Sequence, residues 1–210
     1  MSSLNPEDLF EYYRDTFLPA YSDVVGYTAK KHIQFLIEME NTLAHIAQYY
    51  NPGLNPRMRE ENLKKAHSHL TRVTLDCYKI LWVEMNNELR SIYLDKKKRA
   101  FVLNISEDEF IKGYNNFREK AQSARIAELD SIGANPLTAV EIYKEAIAVG
   151  NELINSVDGI KFQELNRFRK IVFIKETGVA FIIGFFSGVA ASAFWGYNTA
   201  LDHLKSIFGK

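Results

Sequence analysis

The sequence predicts an all-α fold, a helical bundle of long helices continuing into one C-terminal transmembrane helix. Glycine and proline are sparse, 11 and 5 of 210 residues, and the prolines sit with asparagines at a few breakers, leaving long uninterrupted stretches between them. Apolar residues recur at steps of three and four, the helical period, rather than alternating. Finally, Thr177 to Leu201 holds no charged side chain at all.

Taken in order, Asn5-Pro6-Glu7-Asp8 reads as a helix start, with Asn5 as cap, Pro6 in the first turn and acids at the positive end of the dipole. Pro19 is expected to kink or end that helix. A second helix should cover about Asp23 to Tyr50, with Ile33, Leu36, Ile37, Leu43, Ile46 and Ala47 on its apolar face. Asn51-Pro52-Gly53-Leu54-Asn55-Pro56 breaks the chain. The third helix, about Arg57 to Leu94, carries a seam of Leu63, Ala66, Leu70, Val73, Cys77 and Ile80. Cys77 on that seam reads as an inert core thiol. Asp95-Lys96-Lys97-Lys98-Arg99 makes a basic turn, and Ala100 to Ile105 a short strand or extended link.

Ser106-Glu107-Asp108-Glu109 restarts a helix as a capping box, running to about Ile132 and ending at Gly133. Asn135-Pro136 breaks it, and another helix follows from Pro136 or Leu137 to Val157. From Ile160 the pattern of Leu165, Phe168, Ile171 and Val172 has no breaker, so one helix is expected to run on into the uncharged segment. The organisation predicted is 1–158 cytosolic bundle, 159–176 juxtamembrane helix, 177–201 transmembrane helix and 202–210 a short non-cytoplasmic tail.

A hydrocarbon core of about 30 Å needs about 20 helical residues, which the segment supplies with some tilt. Trp195 and Tyr197 lie near one end, where amphipathic rings favour headgroup level. The alternative is a buried central helix of a soluble bundle. Arg167, Arg169, Lys170 and Lys175 crowd the upstream flank, so the positive-inside rule puts the N-terminal part in the cytoplasm. The N-terminus, with early acids and neither a basic flank nor an apolar run, does not look like a signal peptide, which agrees. Gly184, Gly188, Ser192 and Gly196 recur every fourth residue, a small-residue stripe that lets helix backbones approach in lipid. It points to a homo-oligomer; the alternative is that Gly and Ala are simply common in membrane helices.

Composition narrows the chemistry. Basic and acidic side chains balance at 26 each, which argues against bulk nucleic-acid binding. The single cysteine supplies neither a disulfide framework nor a cysteine metal site. There is no phosphate-binding glycine loop, no nucleophile elbow and no H-E-x-x-H pair. His67 and His69, two apart on a helix, point about 200° apart and cannot chelate one metal. No cofactor, no metal and no enzymatic activity are expected.

On the third helix His69, Arg72, Asp76 and Lys79 form a polar stripe, extended towards the helix start by Arg59, Glu61 and Lys65. One reading is a solvated face in which Arg72 and Asp76 pair at i,i+4. The other is a site for an anionic ligand such as a nucleotide or short oligonucleotide, with Arg and His donating to phosphate and Asp76 orienting Arg72. The Lys96 to Arg99 cluster is a second candidate, against a solvated turn or a contact with anionic lipid headgroups.

A helical domain joined to one membrane helix resembles the single-span membrane effectors of prokaryotic antiphage defence systems. That resemblance implies a bacterial inner-membrane protein with a cytoplasmic N-terminus. Its cytosolic domain would sense a nucleotide signal or a protein regulator, and its oligomerised spans would perturb the bilayer or conduct ions. The Arg57 to Lys79 helix also resembles HEPN-type domains, which carry an Arg and a His separated by four to six residues; here Arg59 and His67 have seven between them. The leading expectation is a channel-forming membrane effector. A tail-anchored protein-binding adaptor and a HEPN-like ribonuclease using Arg59 and His67 are the alternatives.

Overall fold

Several helices in this chain begin where a side chain answers their first free amides. In the computed structural model, which describes residues 4–132, 136–168, 173–174, 177–187 and 192, Asn5 Oδ1 accepts from the Asp8 N–H at 2.8 Å. The Asp8 carboxylate accepts from the Asn5 N–H at 3.1 Å. This capping box starts α1, Pro6–Tyr12. Of the two outcomes expected at Pro19, a kink or an end, the helix does not end there. A π-helical turn over Tyr13–Phe17 precedes it, and α2 continues over Leu18–Thr28 with Pro19 in its first turn. The wider turn carries the backbone past the proline ring and its missing N–H.

The expected second helix is in fact two. Ala29 adopts a left-handed conformation, φ 54°, and its N–H closes α2 on the Val25 carbonyl. The Thr28 hydroxyl donates to the Val24 carbonyl and accepts from the Lys30 N–H, fixing the turn. α3 then runs Ile33–Tyr49. After the Asn51 to Pro56 breaker, Asn55 caps α4, Pro56–Tyr93, whose 38 residues span about 57 Å. The strand expected over Ala100 to Ile105 is also corrected. Asp95 caps a short helix, α5, Lys96–Val102. Only Leu103 makes an isolated antiparallel bridge, to Val157. α6 covers Glu107–Asp130 behind the Ser106–Glu109 capping box, and α7 covers Leu137–Asn155.

The described residues fall into two compact units, Met1–Asp158 and Gly159–Lys210. In the first, α4 is the axis on which most of the other elements pack. Leu63, Ala66, Leu70, Val73 and Cys77 are buried, as the seam predicts, while Ile80 sits half-buried at its edge. α3, α2 and α7 all pack on α4, α3 most extensively. Buried Ala139, Ala146 and Gly150 let α7 come close. A Cβ on Gly150 would lie 2.9 Å from both Met85 Sδ and Phe117 Cε2, so three helices meet where only a hydrogen fits. α6, with Phe110, Phe117, Ala121 and Ala124 buried, packs its backbone chiefly on α7 and meets α4 through long side chains.

The face of α3 is a correction with consequences. Ile33, Leu36 and Leu43 are 73, 58 and 60% exposed, and Ile37, Ala44 and Ala47 are exposed too. What faces α4 is Phe35, Glu38, Thr42, His45 and Ile46. The reason is polar. His69 Nδ1 lies 2.7 Å from Glu38 Oε2, His45 Nδ1 lies 2.8 Å from Asn62 Oδ1, and the His45 and His69 rings stack at 5.3 Å. Turning the aliphatic stripe inward would leave His69 and Asn62 of α4 beside side chains that cannot hydrogen-bond, a cost of about 1–3 kcal/mol per orphaned group.

In the second unit, residues 159–168, 173–174 and 177–187 are helical. Gly184 and Ser192 of the small-residue stripe are described; Gly188 and Gly196 lie outside the described residues. So do Trp195, Tyr197, the tail after Leu201 and parts of the expected continuous helix. Among the described residues no helix is long and apolar enough to cross a membrane.

Candidate functional site

The polar stripe of α4 is divided among internal partners. Lys79 Nζ lies 3.1 Å from Asp76 Oδ1 and 3.0 Å from Glu128 Oε1, and Arg125 Nη1 reaches Glu128 Oε2 at 2.7 Å. The i,i+4 pair expected between Arg72 and Asp76 is therefore replaced by Asp76–Lys79, because α6 brings Glu128 alongside Lys79. Burial works against the Lys79 ammonium, but hydrogen bonds to Glu128 and Asp76 outweigh it and hold its pKa above the ordinary value. For Glu128 burial is again opposed, and Arg125 and Lys79 keep the carboxylate below its ordinary range.

Arg72, Asp76 and Lys79 do share a cleft of about 270 Å³ with Glu38, Glu128, Ser131, Ile132 and Pro136. Its carboxylates Glu38, Asp76 and Glu128 outnumber Arg72 and Lys79, so the field there does not favour an anion. His69 turns to Glu38. Arg59 is elsewhere: its Nε donates to the Leu54 carbonyl at 3.0 Å, closing the loop before α4. Arg59 and His67 are separated by about 12 Å of helix rise, and His67 packs its ring 5.3 Å from that of Tyr12. The basic turn is partly consumed as well. Lys98 is buried with Nζ 2.9 Å from Ser91 Oγ, and Arg99 holds the Tyr93 carbonyl and Glu107, leaving Lys96 and Lys97 exposed.

A different cluster has the better chemistry for a ligand. α4 and α6 meet mainly through long side chains, and a groove lies between those two helices. One cleft in it, about 300 Å³, is lined by Trp82, Asn86, Arg90, Tyr93, Leu94, Tyr114 and Arg118. A second, about 600 Å³, shares Trp82 and Arg118 and adds Asn115, Gln122, Arg125, Tyr143 and one carboxylate, Glu119, among others. Tyr93 and Tyr114 rings pack at 4.5 Å, and the Arg118 guanidinium carbon stands 5.9 Å from the Tyr114 ring centroid. The Tyr114 hydroxyl donates to Asn86 Oδ1 at 3.0 Å. Burial raises the Tyr114 pKa while Arg118 and Arg90 pull it back, so both guanidiniums act on the same spot.

None of these groove residues stood out in the sequence. The available signal was a stripe of Trp82, Asn86, Arg90 and Tyr93 on one helix and of Tyr114, Arg118, Gln122 and Arg125 on another, both at helical spacing. Among the described residues no group of three or more His, Cys, Asp or Glu could hold a metal ion. Comparison of the chain with protein-family models, with curated proteins and with solved structures found no match.

Proposed function

We propose that the chain is a single-span membrane protein acting as a homo-oligomeric effector, in which the helical unit of residues 4–158 governs a cluster of C-terminal membrane helices. The observation that carries this reading is the uncharged run from Thr177 to Leu201. Its described part, 177–187, is helical, with Val179, Phe181, Ile182, Ile183, Phe185 and Phe186 all exposed. Successive helical residues lie about 100° apart, so these side chains cover about 200° of the circumference, and Ala180, Gly184 and Ser187 fill the rest, leaving no charged face. Such a helix has its lowest free energy in an apolar medium on every side. Gly184 and the small residues that follow at 188, 192 and 196 support close association of spans.

The test is the oligomeric state of the detergent-solubilised chain, together with membrane depolarisation on expression. The reading expects an oligomer and a depolarisation that Gly188→Leu, by blocking close approach, suppresses. A monomer in mild detergent, or depolarisation unchanged in Gly188→Leu, refutes it. A second reading, a membrane-anchored adaptor, is favoured by the exposed aliphatic stripe of α3, which suits a protein partner. Replacing residues 177–201 with an unrelated span separates the two: an adaptor keeps its function, an effector loses it.

A further inference from the structure

We propose that the α4–α6 groove is a binding site for a phosphomonoester that carries a planar ring, the chemistry of a nucleoside monophosphate. The phosphoryl group would sit between Arg90 and Arg118 and the ring in the adjoining cleft beside Trp82. This inference is independent of the membrane reading, since the groove lies wholly within residues 4–158.

Charge carries the first part. Among the described residues, the charged groups lining the 300 Å³ cleft are Arg90 and Arg118, and no carboxylate lines it. Neither guanidinium makes an ion pair among the described residues, whereas Lys79, Arg99 and Arg125 all do. Two like charges facing one partly enclosed cleft repel, and a dianion relieves that repulsion while accepting planar paired N–H donors. Hydrogen-bond polarity carries the second part. Asn86 has its carbonyl oxygen occupied by the Tyr114 hydroxyl, so what it retains for the cleft is its amide N–H donors. The polar side chains of this cleft are thus weighted towards donors, which match phosphate oxygens and mismatch a cation.

Shape carries the third part. The smaller cleft suits a phosphoryl group and sugar-sized neighbour, and the 600 Å³ cleft continues from it past the shared Trp82 and Arg118. Trp82 is held in place by stacking on Phe117, ring centroids 5.8 Å apart, which gives a fixed aromatic wall for a second planar ring. The amides of Asn115 and Gln122 on the same cleft offer both donors and acceptors, the mixed pattern a base edge needs.

The experiment is isothermal titration of the full chain in detergent with each of the four ribonucleoside 5′-monophosphates, with inorganic phosphate and with adenosine. At least one monophosphate should bind saturably, and both inorganic phosphate and adenosine at least about tenfold more weakly, since each makes only half the contacts. Arg90→Gln and Arg118→Gln should each weaken the monophosphate about tenfold or more, the scale of a lost charge-assisted contact. Arg72→Gln, in the acidic cleft, should leave it unchanged. Arg90 is exposed and unpaired, so Arg90→Gln keeps the test open should Arg118→Gln disturb folding through Tyr114. Absence of binding by all four monophosphates overturns the proposal. So does binding unaffected by Arg90→Gln in a variant whose circular dichroism and melting match the parent, or adenosine binding as tightly as its monophosphate.

Discussion

Gly150 sits where three helices of the unit converge, and changing it tests the packing of α4, α6 and α7 together. A Cβ there would meet Met85 Sδ and Phe117 Cε2 at 2.9 Å, and Phe117 Cδ2 at 3.3 Å. Phe117 has little room to yield, since it is fully buried and stacked on Trp82. Alanine gains about 1 kcal/mol of helix propensity over glycine, whereas overpacking costs about 1–3 kcal/mol. Gly150→Ala should therefore lose between about 0 and 2 kcal/mol. Gly150→Val adds two methyls to the same contact and a smaller propensity gain, so a loss of about 3 kcal/mol is expected. In a chain of this size that lowers the melting temperature by about 6–12 °C. Gly113 is the internal control: its Cβ would meet chiefly Leu153 Cδ2, at 2.7 Å, the end of a side chain that can rotate away. Gly113→Ala should stay within about 1 kcal/mol of the parent. Urea unfolding followed by circular dichroism at constant detergent measures all three. Gly150→Val as stable as the parent, or less harmful than Gly113→Ala, refutes the close three-helix contact.

The orientation of α3 is open to a paired test: Leu36→Gln should change stability by less than about 0.5 kcal/mol, and Phe35→Ala should cost about 3–5 kcal/mol; the reverse order would mean the helix packs on its other face. Cys77 is buried, and burial raises its thiol pKa well above the ordinary value, so a thiol reagent should label the chain only on unfolding; rapid labelling of the native protein would contradict the seam. Burial also holds His67 below its ordinary pKa, against a smaller opposing pull from Asp8. Its neutral form is the folded one, so its contribution is fully present above the unfolded pKa of about 6.5 and is lost as pH falls through the folded value. The urea midpoint should therefore drop below about pH 6.5, and less so in His67→Gln; an identical pH profile in the two proteins would remove His67 as a cause.

Much of this protein is local and therefore readable residue by residue. The caps at Asn5, Asn55 and Ser106, the breaker from Asn51 to Pro56 and the α4 seam through Cys77 each depend on neighbours within a few residues. The sequence determined by itself that the described chain is helical, and it marks Thr177 to Leu201 as a segment without charge. Local detail that only coordinates reveal changed two readings: a π-helical turn precedes Pro19 where the helix could have ended, and a left-handed Ala29 splits the helix expected from Asp23 to Tyr50. The tertiary structure decided the rest. α3 carries apolar residues on both sides, so its period cannot choose a face; Asn62 and His69 on α4 choose it, by demanding polar partners. Asp76 and Lys79 look like a free polar stripe until α6 sets Glu128 beside them. And Arg90 and Arg118, 28 residues apart in sequence as their neighbours Asn86 and Tyr114 are, share one cleft because α4 and α6 both pack on α7 and meet beside it at Gly150. Those outcomes are set by contacts between distant segments, and a helical period specifies a face without naming what lies opposite.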